Sequence, residues 1–425
     1  MRKKRGFIAL TGAARFGNET SMNGRAIIIG AGQAGAQAAQ SLRQAGFDGE
    51  IVMFGEEAEP PYQRPPLSKA YLQGDLEKER LFLRPLAFYD QQKIDLRRGV
   101  AVVSIDRGAK TVATGAGETL SYEKLLIATG APPRRLSCQG ADLKGVFYLR
   151  TIAGSDALRP VLSAGGRIVI VGAGYIGLEV AASARKAGLS VTVLEMADRV
   201  LARVAGKEIS AFYEKLHRDH GVDLRLGAAL DHFEGQKMVE AAVLKSGEKI
   251  ACNAVLVGVG AAPATALAEA ADLRIANGVW TDEHGRTSDP DIFAAGDCAS
   301  HPSQIYDRRL RLESVPNAIE QAKVAGANMA GGNAVYDAVP WFWSDQYDVK
   351  LQTVGVSEGA DETVLRGDPA AKKFSVWYLQ RGRLLAVDAV NDPAAFAISR
   401  RLVGKSKIDA KSLADPETDL KSLVS

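Results

Sequence analysis

The sequence predicts an α/β fold in which one strand–turn–helix unit occurs twice, followed by a small α+β domain. Three observations carry this. Short β-branched runs lead twice into a G-x-G-x-x-G turn, Ala26–Ile29 into Gly30, Gly32 and Gly35, and Ile168–Val171 into Gly172, Gly174 and Gly177. Each turn opens alanine-rich sequence with helical spacing, from Ala36 and from Leu178. Beyond about residue 338 the texture changes to aromatic, alternating segments such as Lys373–Leu379, the pattern of antiparallel strands.

Taken in order, the first apolar run suits a strand buried on both faces of a parallel sheet. In the fingerprint that follows, the first glycine permits a tight turn and the second lets the backbone approach a pyrophosphate. The third lets helix and strand pack closely. Free N–H groups and the positive helix end then face phosphate. The pattern also needs a second strand ending in an acid that can bind an adenosine ribose. Ile51–Phe54 supplies one at Glu56, and Val191–Leu194 supplies one at Glu195. Strand, turn, helix and acid in both copies predict two Rossmann-like dinucleotide-binding domains. A carboxylate at Glu195 favours a ribose 2′-OH over a 2′-phosphate, hence NADH over NADPH. Arg199, four residues on, argues the other way.

The segment Tyr122–Pro133 reads as a strand ending in a Gly/Pro turn that crosses between domains. A matching strand and turn at Ala254–Pro263, with Gly260 in the turn, extends the duplication. The stretch Thr287–Cys298 is a buried strand ending in Gly296-Asp297, and Pro316 opens an alanine-rich helix over Asn317–Met329. The resulting domains are 22–130 and 259–337 for the first dinucleotide, 131–258 for the second, and 338–425 for the C-terminal domain. Residues 1–21 read as a leader or an overlong start. They hold five cations against Glu19, so the net charge of +3 lies there and the rest is near neutral. A near-neutral body excludes nucleic acid as a general partner. No apolar run reaches the ~18 residues of a membrane span. Cys138, Cys252 and Cys298 are far apart, with no local redox pair and no metal-ligand spacing, which suits a reducing cytoplasm.

With these motifs placed, the chain resembles the NADH-dependent ferredoxin reductases of bacterial oxygenase systems, the putidaredoxin and rubredoxin reductase type with a glutathione reductase-like fold. The blocks that carry the likeness are Pro65–Lys69, Tyr148–Thr151, Gly174–Glu179, Glu313–Ala318 and Trp341–Tyr347, within roughly residues 24 to 405. The resemblance implies FAD in the first unit and NADH in the second. It places FAD on Gly30, Gly32, Ala34, Gly35, Glu56, Lys69, Val102, Arg150, Asp297, Val315 and Trp343, and NAD on Gly172, Gly174, Gly177, Glu195 and Gly260. Asp297 would accept from a ribityl hydroxyl, and the helix beginning near Val315 would aim N–H groups at the flavin N1 and O2. Lys69 and Glu179 are implied to meet beside flavin N5 as the catalytic pair. Read alone they are a surface lysine and a helix-face glutamate, and Trp343 alone is core packing.

The implied reaction is hydride transfer from NADH to the flavin, then two one-electron transfers to a [2Fe–2S] ferredoxin, by a monomer or homodimer. Lys323, on the flavin-side helix, is a candidate for steering an acidic partner. A disulfide reductase would need a redox cysteine pair, and a cysteine-dependent NADH oxidase would need a cysteine between residues 56 and 90. Neither is present. The alternatives that stay open are a non-enzymatic one, an NADH-sensing flavoprotein that docks a partner on reduction, and an NADH oxidase or rubredoxin reductase.

Overall fold

The computed structural model describes residues 24–404 and 408–424, so the expected leader over 1–21 lies outside the described residues. The first five-stranded sheet runs, in spatial order, Ile94–Arg98, Glu50–Gly55, Arg25–Ile29, Lys124–Ile127 and Ile292–Ala294, all parallel. Its central strands are apolar because both faces are covered. Ile28 and Met53 meet the helices Gln33–Gln44 and Val315–Met329, while Ile27 and Val52 meet the antiparallel meander Val102–Asp106, Thr111–Thr114, Thr119–Ser121. The two helices cross on small side chains, Ala34 and Ala38 against Ala318, Ala322 and Ala325. At Gly326 a Cβ would come within 2.7 Å of the Ala38 carbonyl, so that crossing needs glycine. The second helix begins at Val315, two residues before the sequence expectation. Ser314 accepts from the Asn317 N–H and Pro316 fits the first turn without a donor.

The second sheet repeats the plan. Its spatial order is Asp223–Arg225, Ser190–Leu194, Arg167–Val171, Ala254–Val257 and Val146–Tyr148, again parallel. Here too a three-stranded meander, Leu230–Glu234, Ala241–Leu244 and Lys249–Ala251, separates the third strand from the fourth in the chain. The copies differ in where the fifth strand comes from. The first sheet borrows Ile292–Ala294 from beyond the second unit, whereas the second sheet takes Val146–Tyr148 from ahead of its own fingerprint.

The C-terminal sheet is antiparallel, in the order Trp341–Gln346, Val349–Gly355, Arg383–Val390, Lys373–Gln380, Glu362–Asp368. Alternation along the strand Lys373–Gln380 sorts its side chains in two directions. Phe374, Val376 and Tyr378 join the core of the second unit with Ile209 and Tyr213. Trp377 and Leu379 pack with Ala395, Ile398 and Leu402 of the helix Pro393–Leu402. The C-terminal domain is therefore fused to the second unit by a shared apolar core, and it sets the strand Trp341–Gln346 along the edge of the site.

Candidate functional site

Each fingerprint forms the same cradle. Gly30 and Gly172 have φ of +114° and +104°, and a Cβ there would strike the carbonyls of Ala128 and Gly258 at 2.2 and 2.5 Å. Gly32 and Gly174 are the N-caps of the helices Gln33–Gln44 and Tyr175–Lys186, and neither helix start has a side-chain cap. A Cβ at either glycine would meet no protein atom within 4 Å. Both positions therefore face open space at an uncapped helix N-terminus, the arrangement that accepts a pyrophosphate. The residues fit two dinucleotides.

The cradles open onto one cleft of about 1410 Å³, closed on a third side by Phe342 and Trp343. Its lining takes in Gly30, Gly32, Ala34, Glu56, Lys69, Val102, Arg150, Asp297, Val315 and Trp343 from the FAD set. Gly172, Gly174, Glu195 and Gly260 from the NAD set, and Glu179, line it too. Gly35 and Gly177, expected as cofactor contacts, do not. A Cβ at Gly35 would lie 1.9 Å from the Gly30 carbonyl, and one at Gly177 2.1 Å from that of Gly172. That closeness serves helix–strand packing. Lys323 is also outside the cleft and is paired with Glu320 at 2.7 Å.

At the centre, Lys69 Nζ lies 2.7 Å from Glu179 Oε2 and donates to the Pro65 carbonyl at 3.1 Å. The short 3₁₀ turn Pro65–Ser68 places Lys69, and the second fingerprint helix places Glu179. The pair thus joins the first unit to the second. Glu179 is buried, with a side chain 3% exposed, a costly position for a charge unless it is saturated with donors. It is saturated. Ser68 Oγ donates to the same oxygen as Lys69, and Ser344 Oγ donates to Oε1 at 2.7 Å.

On the first unit's side, Asp297 follows the strand Ile292–Ala294, and Arg150 reaches it at 3.1 Å. Burial pushes the Asp297 carboxyl above its ordinary range, and Arg150 opposes that shift. A network that the sequence reading missed stands behind it. Arg64 pairs with Glu57 at 2.7 Å, donates to the Arg150 carbonyl at 2.6 Å, and is met by Tyr62 at 2.8 Å. The one available sign was an Arg and a Tyr directly ahead of the Pro65–Lys69 block. At the helix Val315–Met329 the expected group of donors narrows to one. Pro316 has no N–H, Asn317 N–H is taken by Ser314 Oγ at 3.2 Å, and Ala318 N–H by the Ser314 carbonyl at 3.0 Å. The Val315 N–H is left for a ligand.

On the second unit's side, Glu195 is pinned by its own fingerprint. Oε2 accepts from the Ala173 N–H and Oε1 from the Ala197 N–H, each at 2.8 Å. Arg199 is turned away from this acid. Its guanidinium donates to the Ala202 and Ala205 carbonyls and to Ser210 Oγ at 2.7–2.8 Å. Arg203 and Lys245 line the cleft on this side, and Nη2 of Arg203 would be 3.0 Å from a Cβ at Gly260. All three cysteines are free, and only Cys138 of the three lines the cleft. Burial raises each thiol, that of Cys252 to about 11, so none is an activated thiolate. Among the described residues no cluster of His, Cys, Asp and Glu could hold a metal, and no helix is long and apolar enough to cross a membrane.

Comparison with known proteins agrees with this geometry. Residues 24–322 match the pyridine nucleotide-disulphide oxidoreductase family and residues 341–424 the reductase C-terminal family. The ferredoxin reductase subunit of a 5,5′-dehydrodivanillate O-demethylase from a Sphingobium species is 46% identical over 401 residues, covering 93% of this chain and 97% of its own. The putidaredoxin reductase of Pseudomonas putida is 44% identical over 409 residues, covering 95% and 97%. The solved structure of a covalent putidaredoxin reductase–putidaredoxin complex superposes with a TM-score of 0.92 at 43% identity, covering 95% of this chain and 98% of that one. The two-unit α/β fold with its C-terminal domain, the FAD and nicotinamide cofactors, and the oxidoreductase activity are those of this group. The chain belongs to the pyridine nucleotide-disulphide oxidoreductase family, in its ferredoxin reductase branch.

Proposed function

We propose that the protein carries electrons from NADH to a [2Fe–2S] ferredoxin that feeds an oxygenase, and that it works in the cytoplasm. The observation that carries this reading is the single cleft onto which both glycine cradles open, lined by the Lys69–Glu179 pair that joins the two units. Bound FAD supplies the step from a two-electron donor to a one-electron acceptor, which no side chain can provide.

The chain's own residues do the rest. Gly32 and Gly174 admit the two pyrophosphates at uncapped helix ends. Asp297 and the Val315 N–H hold the FAD side, and Glu195 selects the ribose of NADH. Lys69 keeps a fixed positive charge where the two units meet, which favours negative charge developing beside it. Trp343, 5.7 Å from Trp341 between ring centres, forms the cleft wall on the side of the C-terminal sheet, where we place the ferredoxin. With no activated thiol in the cleft, the chain offers no dithiol acceptor of its own, which supports an external acceptor for the electrons.

The test is NADH-driven reduction of cytochrome c with and without added [2Fe–2S] ferredoxin. Fast turnover only when ferredoxin is present supports the reading. Equal rates in both cases overturn it, and a long-lived reduced flavin inert to every ferredoxin would favour the sensor alternative.

A further inference from the structure

The Lys69–Glu179 pair is the end of a longer construction. Ser344 Oγ, which donates to Glu179 Oε1, accepts from Gln346 Nε2 at 3.2 Å. Gln346 Oε1 lies 2.8 Å from His217 Nε2, and His217 Nδ1 lies 3.3 Å from the Tyr347 hydroxyl. A carbonyl oxygen only accepts, so Nε2 of His217 carries the proton and Nδ1 receives the Tyr347 O–H. Burial keeps the imidazole neutral, with its pKa pulled down to about 4. Every donor from Tyr347 inward therefore points the same way, and the series ends on a carboxylate.

Packing alone does not explain it. Glu179, Ser344, Gln346 and His217 are each at most 3% exposed. Apolar groups of like shape would fill that volume without the cost of burying polar atoms. Tyr347 is held at φ +55°, a left-handed conformation uncommon for a large side chain, and its ring stacks on His220 at 3.7 Å. The members come from all three parts of the fold. Lys69 and Ser68 belong to the first unit, Glu179 and His217 to the second, and Ser344, Gln346 and Tyr347 to the C-terminal domain.

We propose that His217, Gln346 and Ser344 are positioning residues for the reaction, a one-way hydrogen-bond chain that fixes the Glu179 carboxylate and through it sets Lys69 in the cleft. This rests on the reading of Lys69 given above. Losing one charge-assisted link should slow flavin reduction by NADH about tenfold, the equivalent of about 1.4 kcal/mol.

Ser344→Ala, His217→Leu and His217→Gln are compared with wild type in the holoenzyme, alone and, for Ser344→Ala, on a Lys69→Ala background. Stopped-flow gives the reduction rate, titration gives the NADH dissociation constant, gel filtration gives FAD retention, and ¹⁵N NMR gives the His217 tautomer. The expected result is slow reduction in Ser344→Ala and His217→Leu with NADH affinity and FAD retention as in wild type. His217→Gln, which keeps a donor toward Gln346, should restore the rate. Ser344→Ala should cost nothing further once Lys69 is gone, and His217 should carry its proton on Nε2. Equal losses in both backgrounds, no rescue by glutamine, a proton on Nδ1, or loss of NADH affinity in step with rate would each overturn the chain. Wild-type reduction in Lys69→Ala alone would overturn the Lys69 reading, and the chain with it.

Discussion

Glu195→Ala tests the nucleotide side most sharply, because the structure gives its size. In the wild type both carboxylate oxygens are held by backbone amides at 2.8 Å, so the acid cannot swing away from a 2′-phosphate. A charge-assisted bond to the ribose is worth about 1.5–3 kcal/mol, or roughly tenfold to a hundredfold in NADH kcat/KM. A carboxylate about 4 Å from a doubly charged phosphate adds repulsion of about 2 kcal/mol in a water-like medium. Truncation removes both effects and leaves the Ala173 and Ala197 amides, with Arg203 in the same lining, free to meet an anion. The ratio of kcat/KM for NADH over NADPH should therefore fall by about 10² or more. Both values are measured with ferricyanide as acceptor, and the ratio cancels any general damage to the protein. An unchanged ratio would refute the reasoning and remove Glu195 from the ribose.

Three other outcomes follow from the same geometry. Gly32→Ala, with open space around its Cβ and φ of −93°, should leave the fold intact yet lose FAD on gel filtration, whereas Gly35→Ala, 1.9 Å from a carbonyl, should fail to fold by circular dichroism. Asp388→Asn should stabilise the protein in thermal melts. Burial lifts this carboxyl from 3.8 to about 6, against donors from Thr353 and Tyr378, which penalises the native state as pH rises through that window. The variant's advantage should be small at pH 4, grow to about 3 kcal/mol near pH 6, and stay flat above, so a gap independent of pH would count against it. Replacing Cys138, Cys252 and Cys298 together by alanine should leave ferredoxin reduction by NADH at the wild-type rate, and a large loss would reopen thiol chemistry.

What could be read from the sequence was local in the chain. Strand, glycine turn, helix and acid lie within about 30 residues of one another, the span of one such unit, so their spacing states the geometry. The alternation in Lys373–Leu379 likewise gave a strand, although not that both its faces are covered by different parts of the protein. The unread part depends on contacts between distant segments. His217 sits at position 11 of an amphipathic helix and looks like an ordinary core residue until Gln346, 129 residues later, arrives beside it. Arg199 looked like a phosphate ligand because its side-chain direction is set by the Ala202–Ala205 loop, which spacing does not show. Gly35 and Gly177, the third glycine of each motif, lie against the carbonyl of the first, which is the close helix–strand packing that the motif implies.

The two cradles are near copies, so the glycines cannot decide which cofactor goes where; what differs is the setting around them. Beside the first cradle stand a buried acid with its arginine, Asp297 and Arg150, and a helix start reduced to one donor at Val315. Beside the second stands an acid locked by backbone amides, with Arg203 in the same lining. The first setting suits a cofactor held permanently along its length, and the second a cofactor recognised at its ribose and released. Between them lies one charge pair, and one of the donors that saturates it comes from the C-terminal sheet. Without Ser344, Glu179 would keep one oxygen unanswered beside Lys69. The C-terminal domain thus supplies part of the site itself.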